Sequence, residues 1–224
     1  MLGLLYDIHG NLPALEAVLA QAEGEGVDGW LLGGDYGTPS PWPLETLERL
    51  RGLDRATWIR GNGERWLREP PLDRPEVIES YELFSGGLPD ETAEWLYGLP
   101  PQAELAGVLY VHGSPLSDVE SFAPEPQPGE EHMLAGVRDR LVVFGHSHQQ
   151  FRRPGPDRTE LLNPGSVGMP LDGDRRAAWA IRSDDGEVAF RRTEYDVERA
   201  ADAYRRLAGP FGEMTSRRIE RGSD

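Results

Sequence analysis

The chain has 224 residues and contains neither cysteine nor lysine. Without thiols it cannot build disulfides, zinc-thiolate sites, iron–sulfur clusters or a cysteine nucleophile, so any metal must rest on His, Asp, Asn or Glu. Without lysine it cannot form a Schiff base or a Walker-type phosphate loop, and all 23 basic side chains are arginine. Long apolar runs are also missing. The N-terminal stretch Leu2 to Tyr6 is too short and too uncharged for a secretory signal, and no segment approaches a membrane span, so the expectation is a cytoplasmic protein with no membrane partner. Net positive charge is lacking too: the formal charge of -16 opposes extended nucleic-acid binding and suits a small phosphorylated substrate. The length suits one α/β domain spanning residues 1–224.

What the chain does have is five short motifs, each following an apolar run: Asp7-Ile8-His9, Gly34-Asp35, Gly61-Asn62, His112-Gly113 and Gly145-His146-Ser147-His148. Leu2 to Tyr6, Trp30 to Leu32, Ala56 to Ile59, Gly107 to Val111 and Leu141 to Phe144 read as strands. Apolar residues at helical spacing after Pro13, and again from Leu44 to Leu53, place helices between the first three. Strand–helix alternation predicts a layered α/β fold with mostly parallel strands, whose carboxyl ends collect ligands. Further helices are predicted at Glu76 to Phe84, Asp90 to Tyr97 and Val197 to Leu207, the last followed by a polar tail. Glu160 to Asn163, Ala177 to Arg182 and Glu187 to Arg192 read as one antiparallel set. Ser114 to Glu131 is rich in Pro, Ser, Glu and Asp, and the region 114–135 is the candidate lid.

In extended backbone alternate side chains share a face, so Asp7 pairs with His9 and His146 with His148. Nitrogen and oxygen donors of these types suit two borderline divalent ions, with Mn²⁺ the first expectation and Fe²⁺, Ni²⁺ or Zn²⁺ as alternatives. A carboxylate between the ions offsets their repulsion, and Asp35, in a Gly-Gly turn open to close approach, is the candidate bridge. Water coordinated by such ions is a nucleophile near neutral pH, so the expected reaction is hydrolysis of a phosphate ester by a metal-bridging hydroxide.

At these motifs the chain resembles the calcineurin-like metallophosphoesterases, whose signature runs D-x-H, GD, GN-(H/x)-(D/E), H-G and G-H-x-H in the same order. The resemblance covers nearly the whole chain, because Asn163-Pro164-Gly165-Ser166-Val167-Gly168 and Tyr195-Asp196-Val197-Glu198 are also similar to small bacterial and archaeal phosphodiesterase-type members. It implies a four-layer α/β/β/α sandwich. It also implies that Asp7, His9 and His148 bind one metal, that Asn62, His112 and His146 bind the other, that Asp35 bridges, and that Asp35, Asn62 and His112 are the catalytic positions. The expected activity is hydrolysis of phosphodiesters or activated monoesters. The alternatives are a nucleotide or dinucleoside polyphosphate hydrolase at the same site, or a catalytically weak binding scaffold of the same fold.

The chain departs from the phosphatase branch at Gly63, where a histidine is expected to protonate the leaving group. A general acid contributes roughly 10²–10⁴-fold, so its loss predicts either a preference for leaving groups as acidic as phenols or donation by solvent, the substrate or another side chain. His132 is read as a solvated surface residue, with donation of the missing proton from the lid as its alternative role. Asn11 is a helix cap or a substrate contact. Tyr6 stands where relatives carry a small polar residue. Asn163 to Ser166 reads as a tight turn supporting the histidine loop, and Arg152-Arg153, Arg175-Arg176 and Arg191-Arg192 as solvated pairs or phosphate holders.

Overall fold

The computed structural model describes residues 1–84, 88–207 and 209–224. In chain order it forms β1 (Leu2–Leu5), α1 (Leu12–Gly24), β2 (Gly29–Leu32), α2 (Pro43–Arg51), β3 (Ala56–Trp58), α3 (Asn62–Trp66), α4 (Pro75–Phe84) and α5 (Asp90–Tyr97). It continues through β4 (Gln102–Leu105), β5 (Val108–Val111), α6 (Glu130–Met133), β6 (Leu141–Val143), β7 (Gln150–Pro154) and β8 (Glu160–Pro164). The last elements are β9 (Ala177–Arg182), β10 (Val188–Thr193), α7 (Val197–Arg205) and α8 (Pro210–Arg221).

Two five-stranded sheets result, in the orders β10-β9-β1-β2-β3 and β4-β5-β6-β8-β7. Each holds three adjacent parallel strands: β1, β2 and β3 in one, with β3 at the edge, and β5, β6 and β8 in the middle of the other. Strand alternation explains how the sheets stack. Leu4, Tyr6, Leu31, Val108, Tyr110, Val143 and Leu162 meet in one apolar cluster between them, while Leu5, Trp30 and Leu32 turn outward to meet α1 residues such as Leu15 and Val18. Tyr6 belongs to this inter-sheet core: it is fully buried and its hydroxyl donates to the Val143 carbonyl at 3.3 Å.

Two expectations are corrected. Glu160 to Asn163 does not join the other two late strands, because β8 lies parallel to β6 while β9 pairs antiparallel with β1 in the other sheet. The polar tail is a twelve-residue helix, α8, packed on α7. The region 114–135 covers the outer face of the second sheet, where Phe122 and Leu134 join Leu109, Val142, Phe144 and Leu161. Among the described residues no helix is long and apolar enough to cross a membrane.

Candidate metal centre

The parallel strands of each sheet run in the same sense, and the segments after β1, β2, β3, β5 and β6 bring all seven candidate ligands together. Backbone stitching continues past the strand ends, with His9 N–H donating to Asp35 O at 2.8 Å and Gly145 N–H to His112 O at 2.7 Å. Five of the seven are non-glycine residues with left-handed backbone: Asp7 (φ 52°), His9 (49°), Asp35 (57°), His146 (64°) and His148 (58°). Such residues cost of order 1 kcal/mol or more each and persist only where the surroundings hold them. The surroundings do so here. Asp7 O accepts from Ser166 Oγ at 2.7 Å, and Asn163 Nδ2 donates to Gly145 O at 3.0 Å. The turn at Asn163 to Ser166 therefore braces both the Asp7 and the His146 loops. Gly34 (φ 95°) is required beside Asp35, because a Cβ there would lie 2.7 Å from the His112 Nδ1.

The donor atoms face one another at about 3 Å. Carbonyls only accept, so His112 Nδ1–H donates to Gly33 O and His148 Nδ1–H to Met169 O, each at 2.8 Å, which leaves both Nε2 atoms turned inward. His148 Nε2 lies 3.1 Å from His9 Nε2. Asn62 Oδ1 lies 3.0 Å from His112 Nε2 and 2.9 Å from His146 Nδ1. Rotating that amide would let its NH₂ donate to both rings; a cation among the three acceptors favours the oxygen-in orientation instead. Asp7 Oδ1 is buried without a hydrogen-bond partner. Asp35 spans the centre, with Oδ2 3.8 Å from His9 Nε2 and Oδ1 3.6 Å from His112 Nε2. The ligand atoms fall into two overlapping groups, Asp7–His9–His148 and Asp7–Asp35–His112. An orphaned carboxylate oxygen and inward-facing nitrogens suit divalent cations and little else.

Without a metal the centre holds protons of its own. Burial, with Glu64 and Asp7 adding repulsion against the opposing pull of His112, raises Asp35 to about 7. Burial lowers His9 to about 3 and His146 to about 4, so both rings are neutral and available as ligands. Burial also disfavours charge on His112, but the Asp35 and Asp7 carboxylates outweigh it and lift the ring to about 9.

Two residues with no role assigned from sequence complete the centre. The buried Glu64 carboxylate accepts from the backbone N–H groups of Asp35 (2.8 Å), Tyr36 (2.8 Å) and Gly61 (2.9 Å), tying the Asp35 turn to the Asn62 turn. Tyr81 of α4 donates to Gly63 O at 3.1 Å. A Cβ on Gly63 would lie 2.8 Å from Asp35 Oδ1 and 3.2 Å from the Tyr81 hydroxyl, and Gly63 N–H donates to that Oδ1 at 2.7 Å. The glycine is thus a packing requirement as well as a missing acid.

The other candidates lie apart. Asn11 is fully buried and caps α1 by accepting from Ala14 N–H, while its amide donates to Gly168 O at 2.8 Å. His132 is exposed on α6 and lines a hollow with residues 126–131 and 153–156, none of which borders the metal centre's cavity. Arg152, Arg153, Arg176, Arg191 and Arg192 pair with Glu160, Glu130, Asp174, Glu25 and Asp172. The cavity over the centre, about 580 Å³, is walled by α4 and α8, and no residue of 114–135 lines it.

Comparison with known proteins agrees with this geometry. Residues 1–185 match the model of the calcineurin-like phosphoesterase superfamily domain. The chain is 26% identical over 226 aligned positions to an uncharacterised protein of Methanocaldococcus jannaschii, covering 89% of this chain and 90% of that one. A metallophosphoesterase from Sphaerobacter thermophilus has the same fold with a TM-score of 0.79 and 26% identity, covering 99% of both chains. A hypothetical protein from Pyrococcus horikoshii superposes with a TM-score of 0.80 at 21% identity over 100% of both. The chain belongs to the calcineurin-like phosphoesterase superfamily.

Proposed function

We propose that the protein is a two-metal phosphoesterase that hydrolyses phosphodiesters or activated phosphomonoesters. The observation that carries this reading is the convergence of the nitrogen and oxygen ligand atoms of Asp7, His9, Asp35, Asn62, His112, His146 and His148 around an orphaned carboxylate oxygen. Asp7, His9 and His148 would hold one ion, Asn62, His112 and His146 the other, and Asp35 would lie between, one oxygen toward each group. Such ions supply a nucleophile from water near neutral pH and neutralise the phosphoryl oxygens. Gly33 O and Met169 O hold the Nδ1–H of His112 and of His148, so Nε2 is the atom each ring would offer to a metal on release of its proton. Mn²⁺ is the first metal proposed, with Fe²⁺, Ni²⁺ and Zn²⁺ as the other members of the same class.

The leaving group receives no proton from position 63, so we expect rates to fall steeply as its conjugate acid weakens. Metal-stripped protein reconstituted separately with the four ions should hydrolyse a phenolic diester well above the matching monoester and an alkyl diester, with His112→Ala inactive. Absence of turnover with every ion would favour a binding scaffold. The cavity favours a second reading, a nucleotide or dinucleoside polyphosphate hydrolase, because arginines and an aromatic ring wall it.

Restoring the family's histidine should harm the enzyme. In Gly63→His the new Cβ displaces Asp35 Oδ1 or Tyr81, and a displacement of about 1 Å at a catalytic group can cost roughly 10²-fold. Turnover of both phenyl and alkyl diesters should fall by about tenfold or more, with fewer than two ions per chain by elemental analysis. A gain on alkyl esters with two ions retained would refute this.

A further inference from the structure

The C-terminal helix α8 has two faces. Gly212, Thr215, Ser216 and Ile219 are buried, and the close approach of Gly212 to Tyr204 O and Leu207 O fixes α8 on α7. Tyr204 in turn donates to the carbonyl of His9, so the helix is anchored to the metal centre's own backbone. The other face, Phe211, Met214, Arg217 and Arg218 at spacings of three and four, lines the cavity above the centre. Met214 is 37% exposed although it stands beside arginines, a position that an apolar ligand group would cover.

The same cavity is lined by metal ligands and by Trp66, Val77, Met169, Phe211, Arg217 and Arg218. A second hollow of about 240 Å³ shares Met214, Arg217 and Arg218 and adds Arg221 and Asp224. Three arginines on one short helix stand out in a chain with a net charge of -16. The acidic partners of Arg217 and Arg218 stand in solvent. Arg217 lies 3.8 Å from Glu213, both more than half exposed, and Arg218 pairs with the terminal Asp224, which is 73% exposed. Exposed pairs of this kind contribute little, so a phosphate, which accepts bidentate guanidinium contacts, displaces them readily. Glu76 and Glu79 of α4 also line the cavity, beside Arg74, which pairs with Glu76 at 3.6 Å.

We propose that α8 forms an anion subsite beyond the metal centre, and that the preferred substrate is a phosphodiester carrying a ring-sized apolar body with a second phosphate on its far side. Arg217 and Arg218 grip the distal phosphate, and Trp66, Phe211 and Met214 pack the body between. The volume of about 580 Å³ falls within the range of small-molecule sites. This inference rests on the phosphoesterase reading and names its substrate class.

The matched probes are the 5′-(p-nitrophenyl phosphate) of thymidine and the same ester carrying an added 3′-phosphate. In the wild type the 3′-phosphate should raise kcat/KM by about tenfold or more, the scale of one or two charged hydrogen bonds. In the Arg217→Gln/Arg218→Gln double variant that advantage should shrink to within about twofold of unity and should no longer weaken with added salt. No advantage in the wild type, or an equal advantage in the variant, would overturn the subsite. If neither ester is hydrolysed with any metal, the phosphoesterase reading fails. The subsite is then decided by calorimetry on the metal-loaded protein, comparing thymidine 3′,5′-bisphosphate with the 5′-monophosphate. Tighter binding of the bisphosphate by the wild type alone supports it, and equal binding of the two by the wild type sinks it.

Discussion

Asp35→Asn is expected to reduce phosphodiester turnover by about 10³-fold or more while leaving the protein folded. An asparagine offers one neutral oxygen where the carboxylate turns one oxygen toward His9 and the other toward His112, so it cannot serve both ions. Lewis-acid stabilisation by a bound ion is worth several kcal/mol, and each 1.36 kcal/mol is about tenfold in rate. Elemental analysis should find fewer than two ions per chain. The chelated protein should respond in the opposite sense. Burial beside Glu64 and Asp7 raises Asp35 to about 7, well above an unfolded carboxyl near 3.9. Between those values the folded chain binds more protons than the unfolded one, so stability is lost as pH rises from about 4 to about 7. Asp35→Asn removes that slope. At pH 8 the chelated variant should therefore melt at or above the chelated wild type, although the metal-loaded wild type melts above both. A variant that melts lower than chelated wild type at pH 8, or that turns over at wild-type rates with two ions, would exclude Asp35 from the bridging role.

The part of this centre that could be read from sequence is the part that local pattern controls. Apolar runs ending in Asp7, Asp35, His112 or His146 identify strands and the ligand-bearing turns after them, and the observed strands end within a few residues of each motif. The residues that bind the loops together were not legible in the same way. Glu64 is one acidic residue among many until folding places its carboxylate against three N–H groups from two other turns. Tyr81 reaches Gly63 from a helix eighteen residues along the chain. The last helix hid for a different reason. Its buried face carries one large apolar residue, Ile219, among Gly212, Thr215 and Ser216, while Phe211 and Met214 line the cavity, so its few apolar residues are divided between two surfaces. The late strands were recognisable by alternation, but alternation does not name a partner, and β8 and β9 belong to different sheets. Composition likewise marked 114–135 as loop without showing that Phe122 and Leu134 pin it to the sheet face remote from the inter-sheet core.

Glu64→Ala should be among the most destabilising single substitutions in the protein, although the side chain is not among the proposed ligands. It leaves the buried N–H groups of Asp35, Tyr36 and Gly61 without their acceptor. Each buried unsatisfied group costs about 1–3 kcal/mol, and water entering the cavity left by the side chain offsets part of this, so roughly 3–5 kcal/mol is expected. For a chain of this size about 1 kcal/mol shifts Tm by about 2–4 °C, which puts the fall near 10 °C. Glu64→Gln separates charge from geometry. Oε2 serves Asp35 and Gly61 and Oε1 serves Tyr36, so either placement of the amide NH₂ opposes at least one backbone donor. With the NH₂ toward Tyr36 only one contact is lost, and Gln should be intermediate. Because the same carboxylate ties the Asp35 turn to the Asn62 turn, metal affinity should fall in parallel with Tm, and high metal concentration should restore part of both by mass action. A Glu64→Ala protein with wild-type Tm would show that the three N–H groups find other acceptors. Normal Tm with lost turnover and full metal content would instead make Glu64 a participant in the chemistry.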